Sequence, residues 1–557
     1  MAARPRGGAW SVERALAATL FAVIALRAAT LTVMPLVDTD DSRYAEVGRQ
    51  MVALGDWVTP HFSRETAFWG KPPLHFWATA AAISALGPTA LAARLPSFAG
   101  GLAVLAVTYL CARRAFGRRT ALLACLILAT TAQFYLRWAN CLTDMTLTAC
   151  NSAALGALFA ARSSAPGSRE ERRWLRLAFA GLGFGLLAKG PVVAVFCASA
   201  LALASLATRD WSWLRRVPWW SGAATALGLA LPWYAAAEER SPGFLRYFLV
   251  NENVLRFLSH DYGDLYSQGH SHPRGAIAVM LALGAIPWTP AVAACALGAA
   301  RGRWAELFRE RRDAVFLAAW ALAPLLLFAA SRNITITYVL PSLPPLAMLS
   351  AHALDQLLEL GAARGEDGAQ APPAAVRLLE WSGYVSVLAF ATRLWLDVEQ
   401  RPLPLSKLGL VGLAFAGMVA ALRVLGRSRR GVAVAVAIAL LLPCADAAIR
   451  TALARELGAW ASTEELTRFV RSDPLLRGCG LAAVGSVPFS AAYYMEGGVR
   501  RVGATSAELV EIAERPSCQL VLVKRKYLAR LRPESLAGFH LLRQFGDYFL
   551  FRNGAPV

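Results

Sequence analysis

The stretch LHFWATAAAISALG, residues 74–87, decides the topology, because it is apolar throughout yet only 14 residues long. Crossing a hydrocarbon core of ~30 Å takes about 20 residues of helix, and apolar runs of ~10–14 residues more often lie at the interface. The basic runs downstream choose between the two readings. If 74–87 spans, RRAFGRR (Arg113, Arg114, Arg118, Arg119) falls on the external side, against the positive-inside bias. If it lies along the surface, those arginines are inside. So are Arg169, Arg172, Arg173 and Arg176, then Arg215 and Arg216, then Arg309, Arg311 and Arg312, and finally Arg427, Arg429 and Arg430. One assumption places every one of these loops in the cytoplasm. The sequence therefore predicts an external loop over about 37–93 with helices lying on the membrane.

The surrounding composition is that of a membrane protein. The 557 residues are 56% hydrophobic and 17% charged, with a mean hydropathy of +0.43; a soluble domain carries about a quarter charged residues. The apolar residues fall in blocks, and with no water to satisfy the backbone in lipid such blocks must be helices. The basic N-terminus MAARPRGG precedes an apolar span at 12–36 that is long for a signal peptide, which predicts an uncleaved first helix and an external loop after it. Further spans are expected near 95–112, 120–136, 144–161, 175–188, 190–207, 218–237, 275–298, 314–330, 338–358, 377–396, 405–424 and 431–449. That makes about thirteen helices, an odd number, so the C-terminus lies outside. GAARGEDGAQAPPAA after the 338–358 span reads as a cytoplasmic linker. The net charge of +20 sits in the loop arginines and does not call for nucleic acid.

From about residue 455 the pattern changes, dividing a membrane domain (1–454) from a small external α/β domain (455–557). Ser462 and Glu465 suggest a capping box. LAAVGSV (481–487), QLVLV (519–523) and the final YFLFR read as strands, and ELVEIAE (508–514) as a helix. Cys111, Cys125, Cys141, Cys150, Cys197, Cys295 and Cys444 lie in or beside apolar spans as small core residues. Cys479 and Cys518 lie in the C-terminal part, where an external location permits a disulfide between them.

Four charged clusters lie on or within reach of the external side. They are DTDDSRYAEVGRQM (Asp38, Asp40, Asp41, Arg43, Tyr44, Glu46), FWGKPPLHFW (Lys71), CLTDMT (Asp144) and LLAKGP (Lys189). Ionisable groups at membrane depth are costly and are generally paired or functional. The plain alternative for each is a solvated interfacial loop. Taken together, acids that hold or deprotonate an acceptor and cations that bind a departing lipid phosphate make a defined chemistry. His61 and His75 read as packed or hydrogen-bonded histidines. His260, His270 and His272, with Asp261 and Asp264, form a denser group that could hold a divalent metal, though the spacing fits no standard ligand set. Trp219, Trp220, Trp233 and Trp288 read as interfacial anchors.

The run DTDDSRYAEVGRQMVALGDWVTPHF, followed in order by GKPPLHFW, RLPS, RRAFGRR, LTDM, LAKGP, PWY and SRNITITYVLPSLPPLA, resembles the lipid A aminoarabinose transferase and protein O-mannosyltransferase superfamily, membrane glycosyltransferases of the GT-C type, family 39. The likeness covers roughly residues 12–350. It implies a polytopic α-helical GT-C fold with a C-terminal extracytoplasmic domain in a bacterial inner membrane, with the active site facing the periplasm. It also implies transfer of a sugar such as aminoarabinose or mannose from undecaprenyl phosphate to a lipid A, protein or glycan acceptor. Carried over by position, Asp40 and Asp41 match the family's acidic pair, Asp144 a further outer-loop acid, and Arg43 and Tyr44 the Arg-Tyr that follows the pair. Lys71, Lys189, Arg256 and Tyr338 match the groups that hold carrier phosphate and sugar. Two positions depart from the pattern: Gly70 stands where an acid is expected and Ile334 where a lysine is expected, with Asp38, Glu65 or Arg332 as candidate substitutes. The expected reaction is an inverting transfer in which Asp40 orients or deprotonates a hydroxyl acceptor, or only positions a phosphate acceptor. The central expectation is that the aspartates near 40 and the lysines at 71 and 189 share one pocket. The rival readings are a transporter or binding protein for polyprenyl-linked sugar, and an inactive family member acting as a scaffold.

Overall fold

The computed structural model describes residues 7–38, 40–258, 265–266, 270–300, 312–362, 431–503 and 506–554, with isolated positions between 377 and 424. The expected spans at 377–396 and 405–424 and the linker after 362 lie largely outside the described residues. The chain divides into two compact units. One comprises residues 1–29, 69–75 and 97–448; the other comprises 30–68, 76–96 and 449–557.

The helices come in the expected order: α1 (Gly7–Ala29), α2 (Asp40–Leu54), α3 (Leu74–Leu86), α4 (Ala90–Phe116), α5 (Arg118–Thr130), α6 (Ala132–Arg137), α7 (Thr143–Arg162), α8 (Arg169–Lys189), α9 (Val192–Thr208) and α10 (Trp219–Arg240). Among the described residues, Ala90–Phe116, Arg312–Ala330 and Val432–Ala454 are long and apolar enough to cross a membrane, and α3 and α9 are shorter apolar helices. Several expected spans are interrupted. The 120–136 span breaks between α5 and α6, where Thr131 is extended (φ −69°, ψ 127°). The 275–298 span becomes Ala276–Gly284 and Thr289–Ala300, with Pro287 between them unable to donate to a continuing helix. The 338–358 span opens as a 3₁₀ segment, Ile336–Ser342, containing Pro341, before Leu343–Ala362.

The first unit packs through large side chains and close helix contacts. Trp138, Trp288 and Trp320 are fully buried, and Trp288 Nε1 donates to Thr130 Oγ1 at 2.9 Å. A Cβ on Gly181 of α8 would come within 2.9 Å of Ala154 N on α7, the close approach that small residues allow between membrane helices. Two of the four expected tryptophan anchors are therefore core residues. Trp220 is 92% exposed and Trp219 46%, whereas Trp233 is 5% exposed and Trp288 0%, because Trp233 is enclosed by Tyr234 and Phe244.

The second unit holds a mixed sheet of β3 (Gly480–Val484), β4 (Val499–Val502), β5 (Gln519–Lys524), β6 (Phe539–Phe545) and β7 (Tyr548–Asn553), in the order β4-β3-β5-β7-β6. A two-stranded hairpin, β1 (His61–Ser63) with β2 (Thr66–Ala67), precedes it in the chain. The strands β3, β4 and β5 are parallel, and β7 pairs antiparallel with β5 and β6. Both faces of the central strands are covered: Leu481, Ala483, Leu520 and Leu522 enter one core, and Ala482, Val484, Val521 and Val523 enter the other. This is why LAAV and LVLV read as unbroken apolar runs rather than alternating ones. Cys479 and Cys518, just before β3 and β5, form a disulfide. The capping box is not formed. The Gly431–Ala461 helix runs on far enough that Ser462 N–H donates to Gly458 O, and Ser462 Oγ accepts from Glu464 N at 3.3 Å. The strands β4 and β6 escaped the sequence reading because they are the sheet's edges and largely exposed.

The segment after α1 is tied into the same unit. Asp38 accepts from Ser490 N (2.8 Å), Ser490 Oγ (2.9 Å) and Tyr548 OH (3.2 Å). Arg94 donates to the carbonyls of Leu31, Met34 and Pro35 and to Asp41 at 2.6 Å.

Candidate active site

Three loop-and-helix junctions of the first unit converge on one cavity of about 370 Å³. The first is the GKPP loop. Lys71 Nζ donates to Gly70 O at 2.7 Å and sits 3.3 Å from Glu252 Oε2. The second is the Lys-Gly-Pro turn. Lys189 closes α8, and Gly190 (φ +82°) turns the chain so that Pro191 leads into α9. A Cβ on Gly190 would come within 2.6 Å of Phe248 Cζ, so the turn admits only glycine. Lys189 pairs with Asp144 in the first turn of α7, and its Nζ lies 4.7 Å from the centroid of the Tyr338 ring. The third is a π-helical segment, Tyr247–Leu255. Such wide turns concentrate at functional sites, and this one carries Glu252 inward, where it also accepts from Arg256 at 2.8 Å and from Tyr247 OH at 3.2 Å.

The cavity thus gathers Lys71, Lys189 and Arg256 with Asp144 and Glu252, under walls dominated by apolar residues such as Phe196, Phe248 and Phe328. Three cations against two carboxylates leave one net positive charge, suited to a phosphate anion. Burial, opposed by Glu252 and reinforced by Arg256 and Lys189, pushes the Lys71 pKa down to about 8. Burial would raise the Glu252 carboxyl, but Lys71 and Arg256 together hold it below the usual range. Chemically, the arrangement can take up a phosphate by exchanging carboxylate partners for phosphate oxygens, so the charges need not be left bare when the site is empty.

Five of the nine residues picked out from the sequence therefore line this cavity: Lys71, Asp144, Lys189, Arg256 and Tyr338. The other four belong to α2 in the second unit, where they differ sharply. Asp41 is buried against Arg94 at 2.6 Å. Tyr44 packs with Phe68 and Phe76. Asp40 is 51% exposed and pairs with Arg43. Of the candidate substitutes, Asp38 and Glu65 belong to the second unit and Arg332 is exposed, whereas Ile334 is fully buried. Glu252 went unnoticed. The sequence signal was its i,i+4 spacing to Arg256, which places acid and cation on one helix face.

His75 is a packed histidine, bonded to Thr146 Oγ1 (2.9 Å) and Cys141 Sγ (3.3 Å), and His61 lies 3.4 Å from Asp56. Among the described residues no group of three or more His, Cys, Asp or Glu could hold a metal ion. His260, Asp261 and Asp264 lie outside the described residues.

Residues 11–248 match the family described as dolichyl-phosphate-mannose-protein mannosyltransferase. The undecaprenyl phosphate-alpha-4-amino-4-deoxy-L-arabinose arabinosyl transferase of Pseudomonas aeruginosa is 32% identical over 331 residues, covering 58% of this chain and 56% of the relative. The Aeromonas salmonicida protein of the same name is 30% identical over 334 residues, covering 59% of this chain and 58% of its own. The chain thus spans little more than half the length of these relatives. The crystal structure of ArnT from Cupriavidus metallidurans, bound to undecaprenyl phosphate, superposes with a TM-score of 0.77 at 22% identity, over 99% of each chain. At that identity the likeness is one of fold, and it makes the chain a multi-pass membrane protein with a C-terminal mixed-sheet domain. The motifs' resemblance accordingly has its counterpart in the comparisons: over residues 11–248 the chain is similar to the dolichyl-phosphate-mannose-protein mannosyltransferase family, on a fold like that of the Cupriavidus protein.

Proposed function

We propose that this chain is a polyprenyl-phosphate-sugar-dependent glycosyltransferase of the GT-C type, with about thirteen spans in a bacterial inner membrane and its active site and C-terminal domain facing the periplasm. The observation that carries the reading is the meeting of Lys71, Lys189 and Arg256 in one otherwise apolar cavity. The acceptor oxygen attacks the anomeric carbon, the bond from that carbon to the phosphate oxygen breaks, and undecaprenyl phosphate leaves with its added negative charge. Lysine offers compact charge and Arg256 a planar fork to that phosphate, and preorganised cations aimed at developing charge are worth about 10²–10³-fold in rate apiece. Asp144 holds Lys189 in place, and Glu252 holds Lys71 and Arg256.

Asp40 is assigned to the acceptor on the strength of its motif. Unlike Asp41, whose carboxylate is buried against Arg94, it is half exposed and close to its neighbour Arg43. It takes the proton of a hydroxyl acceptor, or positions a phosphate acceptor that needs no base. The named bacterial relatives favour aminoarabinose as the sugar and lipid A as the acceptor, with other pentoses, mannose, protein and glycans as the wider class.

The test is to incubate purified protein with undecaprenyl-phosphate-linked aminoarabinose or mannose and a lipid A acceptor, and to follow glycosylated acceptor and freed undecaprenyl phosphate by mass spectrometry. Transfer with carrier release supports the enzyme. Binding without release of carrier identifies a transporter or binding protein, and neither binding nor release identifies a scaffold.

A further inference from the structure

The second unit carries a groove whose lining residues take no part in the bond-making and bond-breaking of the proposed transfer. In the sheet order β4-β3-β5, the chain leaves β3 for β4 on one side, then returns across β3 to β5 on the other. The connections diverge between β3 and β5, and in open parallel sheets ligands bind outside the carboxyl ends of strands at such a switch point. Here that position is a cavity of about 270 Å³ whose lining includes Ser486, Lys524 and Lys526. It shares Ser486, Val487 and Phe489 with an adjoining cleft of about 700 Å³, whose lining includes Arg64, Arg500 and Arg501.

Charge in this groove is unevenly committed. Among its carboxylates, Glu46 is held by Arg49 (2.6 and 2.7 Å) and Gln50 (2.8 Å), Glu496 by Arg471 (2.8 Å), and Asp38 by Ser42, Ser490 and Tyr548. Glu65, at the hairpin tip, is the exposed exception. Lys524 and Lys526 lie over the rings of Tyr548 (5.3 Å) and Tyr527 (4.7 Å). Among the described residues, these lysines, Arg64 and Arg500 form no ion pair.

We propose that this groove binds the phosphorylated saccharide headgroup of the acceptor, a reading that rests on the chain being a glycosyltransferase. Arginine forks and lysine charges match phosphate oxygens, and the cleft's volume lies within the range of sites that hold a drug-sized ligand.

The experiment uses the full-length protein in detergent and isothermal titration with three probes: a phosphorylated glucosamine disaccharide, its unphosphorylated counterpart and inorganic phosphate. Binding of undecaprenyl phosphate, and transfer from the sugar-loaded carrier to a lipid A acceptor, are measured in parallel. The variant is Arg64→Glu/Arg500→Glu/Lys526→Glu, at three exposed positions. The phosphorylated disaccharide is expected to bind wild type and to lose about tenfold or more in affinity, ~1.4 kcal/mol, in the variant, with undecaprenyl phosphate affinity unchanged. The same three positions changed to Gln, a milder alteration, are expected to lose affinity in the same direction. Equal binding of the phosphorylated disaccharide to wild type and both variants overturns the proposal. So does equal binding of the unphosphorylated sugar, or of inorganic phosphate, to wild type. Absent transfer to lipid A by a wild type that still binds the phosphorylated sugar sinks the transferase reading and leaves the groove, whereas intact transfer without that binding sinks the groove alone.

Discussion

At the scale of single residues, Lys71 is the most informative side chain. It is buried in the cavity with an ammonium pKa near 8, so it is charged below that value and loses its proton as pH rises through it. A phosphodiester-linked donor keeps its charge over the same range. Donor affinity is therefore expected to be steady near pH 6–7 and to fall as pH passes about 8, and a pH series of donor KM checks it; an affinity that rises through pH 8 contradicts it. Replacing Lys71 with Met is expected to lower kcat about 10²–10³-fold with the fold intact, read by turnover beside a thermal melt. Asp144 and Lys189 are expected to couple strongly in a double-mutant cycle, because either single change leaves its buried partner uncompensated. Lys71, Asp144 and Lys189 were legible in the sequence because a charge amid apolar residues stands out. Glu252 was not, because it lies in a segment where charges look ordinary and only the π-helical turn carries it inward.

At the scale of elements, two devices hold the pieces of the site and of the second unit. Gly190 sits at φ +82° with Phe248 against its α-carbon. Gly190→Ala is expected to cost about 1–3 kcal/mol of stability and to displace Lys189, which a melt together with donor affinity would detect. Arg94 gathers three carbonyls and Asp41 into one buried knot. Arg94→Leu removes that carboxylate's arginine partner and is expected to cost about 3–5 kcal/mol, visible as a lowered Tm; a melt unchanged from wild type contradicts the assignment. The helical elements were largely legible from hydropathy, and the covered strands β3 and β5 from their apolar runs. What hydropathy missed were the breaks at Thr131 and Pro287 and the exposed edges β4 and β6. An apolar block reads the same whether continuous or interrupted, and an edge strand need not look apolar.

For the whole molecule, the arginine pattern and the fold shared with the Cupriavidus protein agree on a multi-pass membrane protein, and the convergence of three junctions on one cationic cavity supports the transferase proposed for it. The Cys479–Cys518 disulfide is consistent with a C-terminal domain in an oxidising compartment. Changing both cysteines to Ser is expected to cost about 2–4 kcal/mol, seen as a lower Tm, while leaving the cavity's donor affinity unchanged. The most direct measurement is an electron-cryomicroscopy map of the protein with undecaprenyl phosphate bound. The account predicts the phosphate within hydrogen-bonding distance of Lys71 Nζ and the Arg256 guanidinium. A phosphate seated away from both contradicts it.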